Sequence, residues 1–551
     1  MTANNMTPRK LSLALMLALG MNAAMAGETC DEAFPPRSGA QAPGQDAFAC
    51  GTGAQATGVR ANAFGSRARA TDEEAVALGH EANASGFHSS ALGALSVASG
   101  RGASAVGWFA QATGDFSTAT GNSARATGTN STANGRSAAA TGANSSALGA
   151  NSTASGANST AVGQGSTASG ANSTALGQGA NATGANSTAL GQGASATGDA
   201  STVLGQGASA AGARNTAVGQ GAVASDEEST ALGQGAQSTG FHSTATGALS
   251  VASGRGGTAT GWLSRATGDL STATGNSANA TGAASTATGR SAQATGAQST
   301  ATGATALASG ANSTANGHGA RATAANSSAS GQGAAATGDD STATGQAAQA
   351  TGTQSTATGV AATATGNGAT ANGRGANASG LQSTAVGAAS VAAGENGTAL
   401  GRGANASAAN SVALGAGSTN TRANTVSVGS AGAERQITNV AAGTQRTDAV
   451  NFGQFTDELT ALRTYVDLRF DQTDERIDKM GAMNSAMAMM IGSAAGIQTE
   501  NRFAVGAGFS GGESALSLGY QRALSERSTL TIGGSFTDDE SQAGIGFGIG
   551  W

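Results

Sequence analysis

GANSTALGQGANAT at Gly170–Thr183, GANSTALGQGASAT at Gly184–Thr197 and GDASTVLGQGASAA at Gly198–Ala211 are three consecutive copies of one 14-residue unit. The frame runs without a gap back to Gly44 and forward to Thr421, and these 378 residues divide into 27 units. Positions of the unit are numbered 1 to 14 from Gly170. So short a period, without insertions, means a solenoid in which each unit is one rung that buries its face only against its neighbours. The unit is too short for a helix pair. Its segments STALG and ANATG alternate as strands do, with glycine-rich turns between them. Each rung is therefore strand, turn, strand, turn, and the fold class is mostly β, a parallel β-roll. At about 4.8 Å per rung the stack is roughly 130 Å long.

Parity assigns faces within a rung, because residues two apart on a strand share a side. Position 7 holds Val162, Leu176, Leu190, Val218, Leu232 and Leu414, or else Thr, and position 5 is mostly Thr. Positions 5 and 7 are expected to line the inside of the roll, opposite the alanines at 11 and 13. Position 12, with Arg69, Asn83, Gln111 and Arg125, reads as a solvent face. Positions 4, 6 and 8 then point outward, yet position 8 is always Gly and position 6 is Ala in all but one unit (Val203). A face kept that small is expected to pack against another copy of the chain, and leucines at Ala175, Ala189 and Ala217 are expected to break assembly.

Outward from the repeat, residues 1–26 read as a secretory signal. Arg9 and Lys10 precede an apolar run from Leu11 to Leu19, and Ala24-Met25-Ala26 forms a cleavage site before Gly27. The apolar run is too short to span a bilayer, and no later stretch has about 20 consecutive apolar residues. With 88 Gly and 3% aromatic residues in 551, the chain lacks the bulk for a large enzyme core. A net charge of −6 without a basic patch gives no footprint for nucleic acid. No nucleophile–base set or paired carboxylates stand out, so no catalytic, cofactor or metal site is expected and the protein is read as not an enzyme.

Residues 27–43 are expected to cap the first rung. Cys30 and Cys50 are the only cysteines, and export favours a disulfide between them, two free thiols being the alternative. The bond would close a loop worth roughly 3 kcal/mol, with Cys50 at position 7, expected inward. A longer duplication overlies the short one: GFHSSALGALSVASGRGASAVGWF from Gly86 returns as GFHSTATGALSVASGRGGTATGWL from Gly240, 154 residues or 11 rungs later. It places Trp108 and Trp262 at position 9, in a turn, as a candidate ligand-binding patch. The alternative is that each plugs a gap between neighbouring chains. His88 and His242 recur at position 3 and read as solvated turn residues. Thr at positions 5 and 7 also suggests an ice-binding array, but the exchange of Thr for Val and Leu at position 7 suits an interior better.

Past Thr421 the period stops, and Val426–Phe455 matches the neck of the trimeric autotransporter adhesins, the YadA-like family. Arg435-Gln436-Ile437-Thr438-Asn439-Val440 and Asp448-Ala449-Val450-Asn451 carry the resemblance. The STALG-type rungs are similar to that family's head repeats, whose fold is a left-handed parallel β-roll trimer. Phe452 and Phe455 depart from the more usual aliphatic residues.

The remainder reads on its own residues. Phe455, Leu459, Leu462, Val466, Phe470, Thr473, Ile477 and Met480 are spaced as a coiled-coil seam with one stutter near Val466. The helix is expected to continue through the small residues of 482–496. The last 50 residues alternate as four strands. Phe503, Phe509, Leu518, Tyr520, Ile545, Phe547, Ile549 and Trp551 fall on an apolar, lipid-facing side, and glycines fall on the other. Four strands cannot close a barrel and open edges are not tolerated in lipid, so three chains are needed, giving twelve strands around three helices.

The expected organisation is signal 1–26, cap 27–43, head 44–421, neck 422–455, stalk and lumen helix 456–497, and membrane anchor 498–551. The resemblance implies a homotrimeric adhesin of the outer membrane, with its head at the cell surface. Its expected partners are itself, outer-membrane lipid, the insertion machinery that reads Trp551, and host matrix or cell-surface ligands. A surface-layer rod without a specific ligand is the alternative, beside the ice-binding rod.

Overall fold

A computed structural model describes residues 27–30 and 39–551. The export signal expected at 1–26 lies outside the described residues. Two units follow one another, residues 1–434 and 435–551, and each is taken by itself.

In the first unit every rung contributes a three-residue strand at positions 5–7 and a two-residue strand at positions 12–13. Each pairs in parallel with its counterpart 14 residues on: Thr174 with Thr188, Ala175 with Ala189, Leu176 with Leu190, and Asn181 with Ser195. The rungs run from Phe48–Cys50 to Val412–Leu414, and Val426–Ser427 adds one further pairing beyond the last repeat. At the other end Glu28–Thr29 pairs with Phe48 and Ala49. Cys30, which follows, is joined by a disulfide to Cys50.

The structure reverses the expected faces of the longer strand. Ser173 and Ala175, at positions 4 and 6, are fully buried, with Ala180 and Ala182 opposite them. Leu176, at position 7, is 42% exposed on the outer side. Cys50 shares that outer face rather than the interior. The parity argument holds, but volume decides the side. A rung closed by two tight turns brings its sheets so near that the interior admits little more than a methyl or a hydroxymethyl group. The core is a continuous file of alanines in which Val203 is the one larger apolar side chain. Each buried methyl contributes about 0.8 kcal/mol, so stability comes from repetition rather than from any single contact. The buried serines bond locally: Ser187 and Ser201 donate from Oγ to the carbonyls of Gly184 and Gly198, at 2.7 Å each.

The smallness of position 8 has an origin inside the chain. Gly177 has φ +139°, and a Cβ there would lie 2.4 Å from the Gly191 carbonyl oxygen of the next rung. Left-handed backbone also recurs at positions 3 and 10, as at Asn172 (φ 56°) and Gly179 (φ 64°), residue types that tolerate it. Asparagine at position 3 gains a second role. Asn144, Asn158 and Asn172 each donate from Nδ2 to the Oδ1 of the next asparagine 14 residues on, at 2.9–3.0 Å. Gln178, Gln192 and Gln206 form a like ladder at position 9, donating back to the preceding rung.

The second unit holds one helix, α1 (Phe452–Ala495), and a four-stranded antiparallel sheet. Its strands, in chain and spatial order, are Asn501–Ser510, Glu513–Ser525, Ser528–Phe536 and Ser541–Ile549. No described helix is long and apolar enough to cross a membrane, which leaves open crossing by strands.

Candidate functional site

Trp108 and Trp262 project from the position-9 turn and are each 51% exposed in the single chain. The Phe109 ring meets Trp108 edge-on, with centroids 4.9 Å apart. A shallow groove runs along the same edge of the roll, lined by Leu95, Val97 and Phe109 at one end and by Arg67 and Arg69 at the other. On the opposite edge the histidines are not isolated. His88 stacks on Phe87 at 3.8 Å and its Nε2 lies 3.2 Å from Glu74, which also pairs with Arg60 at 3.0 Å. The constellation recurs 154 residues on, where His242 stacks on Phe241 at 3.9 Å and pairs with Glu228 at 2.7 Å, with Arg214 against the same glutamate. This column of Arg, Glu and His was legible in the 14-residue frame, because all three occupy position 3 of successive rungs. Reading the histidines singly missed it.

The outer face of the longer strand is the second exposed surface. Its position-7 column includes Leu78, Leu176, Leu204 and Leu400, each more than 40% exposed. Opposite it, position 12 is mostly polar, with Val97, Val223, Val251, Leu307 and Val391 as its larger apolar residues.

In the second unit the neck residues Ile437 and Val450 stand exposed, and Asn439 adopts φ +61°. Val440 and Asn451 meet through a hydrogen bond, with Asn451 Nδ2 donating to the Val440 carbonyl at 3.0 Å. Asn451 also caps α1, its Oδ1 accepting from the Gln454 backbone N–H at 2.7 Å, the interaction that favours asparagine at that position. Asp448 Oδ2 accepts from the backbone N–H groups of Thr444 and Gln445, both at 2.9 Å. Those N–H groups, Thr444 first, hold its carboxyl below the ordinary value. Ala449 lies between these two polar anchors and is exposed. Along α1, Leu459, Leu462, Val466, Phe470 and Ile477 form an exposed apolar stripe with no partner within the described chain.

The C-terminal part of α1 packs on the sheet. Ala482, Met483, Ala486 and Met490 are buried against its inner side. A Cβ on Gly506 would lie 2.2 Å from the Ala486 carbonyl oxygen, one on Gly508 2.2 Å from the Ala486 nitrogen, and one on Gly519 the same distance from Met490 Sδ. Glycine is thus required where this helix lies on the first two strands. On the fourth strand, Gly544 and Gly546 face no atom of the described chain. The outer side presents Phe503, Phe509, Leu518, Tyr520, Ile545, Phe547 and Ile549, all exposed, and Trp551 ends the chain fully exposed. The first and fourth strands each pair on one side only. At the turn between the third and fourth strands, Asp539 accepts from Lys479 Nζ at 2.8 Å and Glu540 from Arg476 at 2.8 Å. Lys479 is almost fully buried and also meets Glu475 at 2.7 Å.

Comparison with known families covers most of the chain. The YadA head domain repeat matches a series of segments from 42–68 to 392–418. The coiled stalk of trimeric autotransporter adhesin matches 436–477, and the YadA-like membrane anchor domain matches 494–551. Among solved structures, the chain is similar to the collagen-binding domain of the Yersinia adhesin YadA, at 26% identity over 40% of this chain and 85% of that one, with a TM-score of 0.16. No curated protein matches the chain.

Proposed function

Because the chain belongs to the YadA-like trimeric autotransporter adhesins, we propose that its head attaches cells to host matrix, to other cells or to abiotic surfaces, and that its anchor carried that head outward. Anchoring in the outer membrane, with stalk and head exposed, and assembly as a homotrimer follow from the family. The particular surfaces bound, autoaggregation, cleavage of the signal after Ala26 and recognition of Trp551 by the insertion machinery belong to this proposal.

One observation carries it: a four-stranded sheet with two open edges, an apolar outer side and a glycine inner wall, part of which faces no atom of its own chain. Open edges are not tolerated in lipid. Three such sheets close into twelve strands, and the wall at Gly544 and Gly546 then receives the partners' helices. The full-length protein extracted from outer membranes is expected to migrate unheated near three times the 52.1 kDa chain and to collapse only on harsh denaturation. A monomer in mild detergent would overturn the anchor reading.

For the head, Trp108 and Trp262 are the proposed contact residues. Their support is their exposure and their duplication in one block, which multiplies weak contacts over three chains. Changing both to Ala is expected to lower adhesion to a panel of collagen, other matrix proteins and bare plastic at least tenfold, with the trimer intact. Unchanged adhesion in an intact trimer would remove them from the contact.

The outward turn of position 7 also favours a second reading, since Thr-x-Thr rows at Thr258–Thr260, Thr272–Thr274 and Thr286–Thr288 stand on the outer face. Thermal hysteresis in a solution of the purified protein is the outcome that supports an ice-binding rod, and its absence dismisses it.

A further inference from the structure

The outer face of the longer strand changes character along the roll. From Leu148 through Leu176, Leu190 and Leu204 to Leu232, position 7 is leucine or valine in seven consecutive rungs. From Thr246 through Thr274, Asn316 and Thr358 to Asn372 it is Thr, Asn or Ser in ten consecutive rungs. Val386, Leu400 and Leu414 then restore the apolar column. The backbone does not register the switch, and both blocks pair in the same parallel register. Nor does the interior, which is built mainly of alanine and serine in both blocks. The switch is therefore confined to what the face meets outside its own chain.

With this face as the contact between copies of the chain, we propose that the contact is of two kinds: a dry apolar grip over rungs 142–239 and 380–421, and a water-filled polar seam over rungs 240–379. The occupant is a second and third copy, so the inference rests on the trimeric reading above. Two observations select this face. Its leucines stand exposed or half-buried in the single chain, whereas in the same rungs 142–239 position 12 on the opposite face is Thr, Ser, Asn or Gln, with Val223 alone apolar. The stripe on α1 is likewise apolar and unpartnered, so one assembly covers both.

The seam follows from the hydroxyls. Thr260, Thr274, Thr288 and Thr302 are exposed on this face, and among the described residues their side chains have no hydrogen-bond partner in their own chain. A hydroxyl buried without a partner is costly. Threonine also leaves a gap where leucine fills one, and a roomy polar gap holds water. Stacked layers, each bringing three hydroxyls or amides, meet both requirements of a hydrated site. Leucine layers meet neither.

Single cysteines report the difference in the full-length trimer in detergent, where the natural cysteines are already bonded. Thr274→Cys is expected to react with a maleimide at least tenfold faster than Leu190→Cys, both in particles that sediment as trimers. Replacing Thr260 and Thr288 with Leu around Thr274→Cys is expected to slow that reaction toward the leucine-block rate. Trimers in which both cysteines react equally slowly would overturn the seam and leave the trimer standing. Trimers in which both react equally fast would remove this face from the contact. Sedimentation as a monomer would overturn the trimeric reading and, with it, this inference.

Discussion

At position 6 of a rung the permitted volume is small: a methyl group in every rung but the one where Val203 stands buried. Ala175 is fully buried against its own roll, and its neighbours along the ladder are Ala161 and Ala189. Leucine there would add three carbons to a space with no give, since every neighbouring rung is equally full. Overpacking of this kind costs typically 1–3 kcal/mol. Ala175→Leu is therefore expected to lower the unfolding temperature of the head itself, measured by circular dichroism. Unchanged melting with loss of the trimer would restore an outward position 6. Gly177 is constrained differently, by its positive φ and by the carbonyl of the next rung. Leu176 one place earlier is free of both constraints, which is why that column can vary from leucine to asparagine while its neighbours cannot.

Among the elements, the neck and the anchor turn depend on a few charged groups. The Asp448 carboxylate organises the turn at 444–448 and titrates below its ordinary value of 3.8. Its folded-state value is depressed, so its contribution is present above the unfolded value and is lost as pH falls through the folded one. Acidification below about pH 4 is expected to loosen this turn, seen as faster amide exchange at Thr444 and Gln445, and Asp448→Asn is expected to abolish that pH dependence. Lys479 ties α1 to the turn at 537–540 through Asp539, beside the Arg476–Glu540 pair. A nearly buried ammonium stripped of its partners is strongly unfavourable. Its three carboxylate partners are Glu475, Asp539 and, at 3.4 Å, Asp538, so Glu475→Gln with Asp538→Asn and Asp539→Asn should lower the temperature at which the trimer dissociates in detergent by more than Lys479→Met does. An equal effect of both variants would mean that the pairing, rather than the stranded charge, sets the cost.

For the molecule as a whole, repetition makes length adjustable. Every ladder contact in the head joins residues 14 apart, so removing one full unit restores each register, as expected for a one-dimensional stack. Deletion of Gly184–Thr197 is expected to leave circular dichroism and trimer formation essentially unchanged. Deletion of seven residues, Gly184–Leu190, would juxtapose the long strand of one rung with the short strand of the next and is expected to unfold the neighbouring rungs. The 154-residue duplication fits this tolerance, since it adds eleven whole rungs.

Much of this was legible in the residues alone. The period of 14 implied rungs, the alternation of Phe503, Val505 and Phe509 with Gly506 and Gly508 implied a two-faced sheet, and the 4-3 spacing from Phe455 implied the long helix. These are local patterns, and backbone geometry translates them directly. Which side of the rung faces inward was not local. Parity grouped Leu176 with Thr174 and Ala175 with Ser173, but only the closeness of the two sheets decided that alanine, not leucine, is the interior residue. The column of Arg60, Glu74 and His88 likewise becomes one cluster only when 14-residue steps are stacked. The sequence by itself determined the repeat, the order of the elements and the need for partner chains. Tertiary structure alone decided which side of a rung is buried and which is left outside, because the volume enclosed by a rung is a property of the closed turn and not of any residue in it.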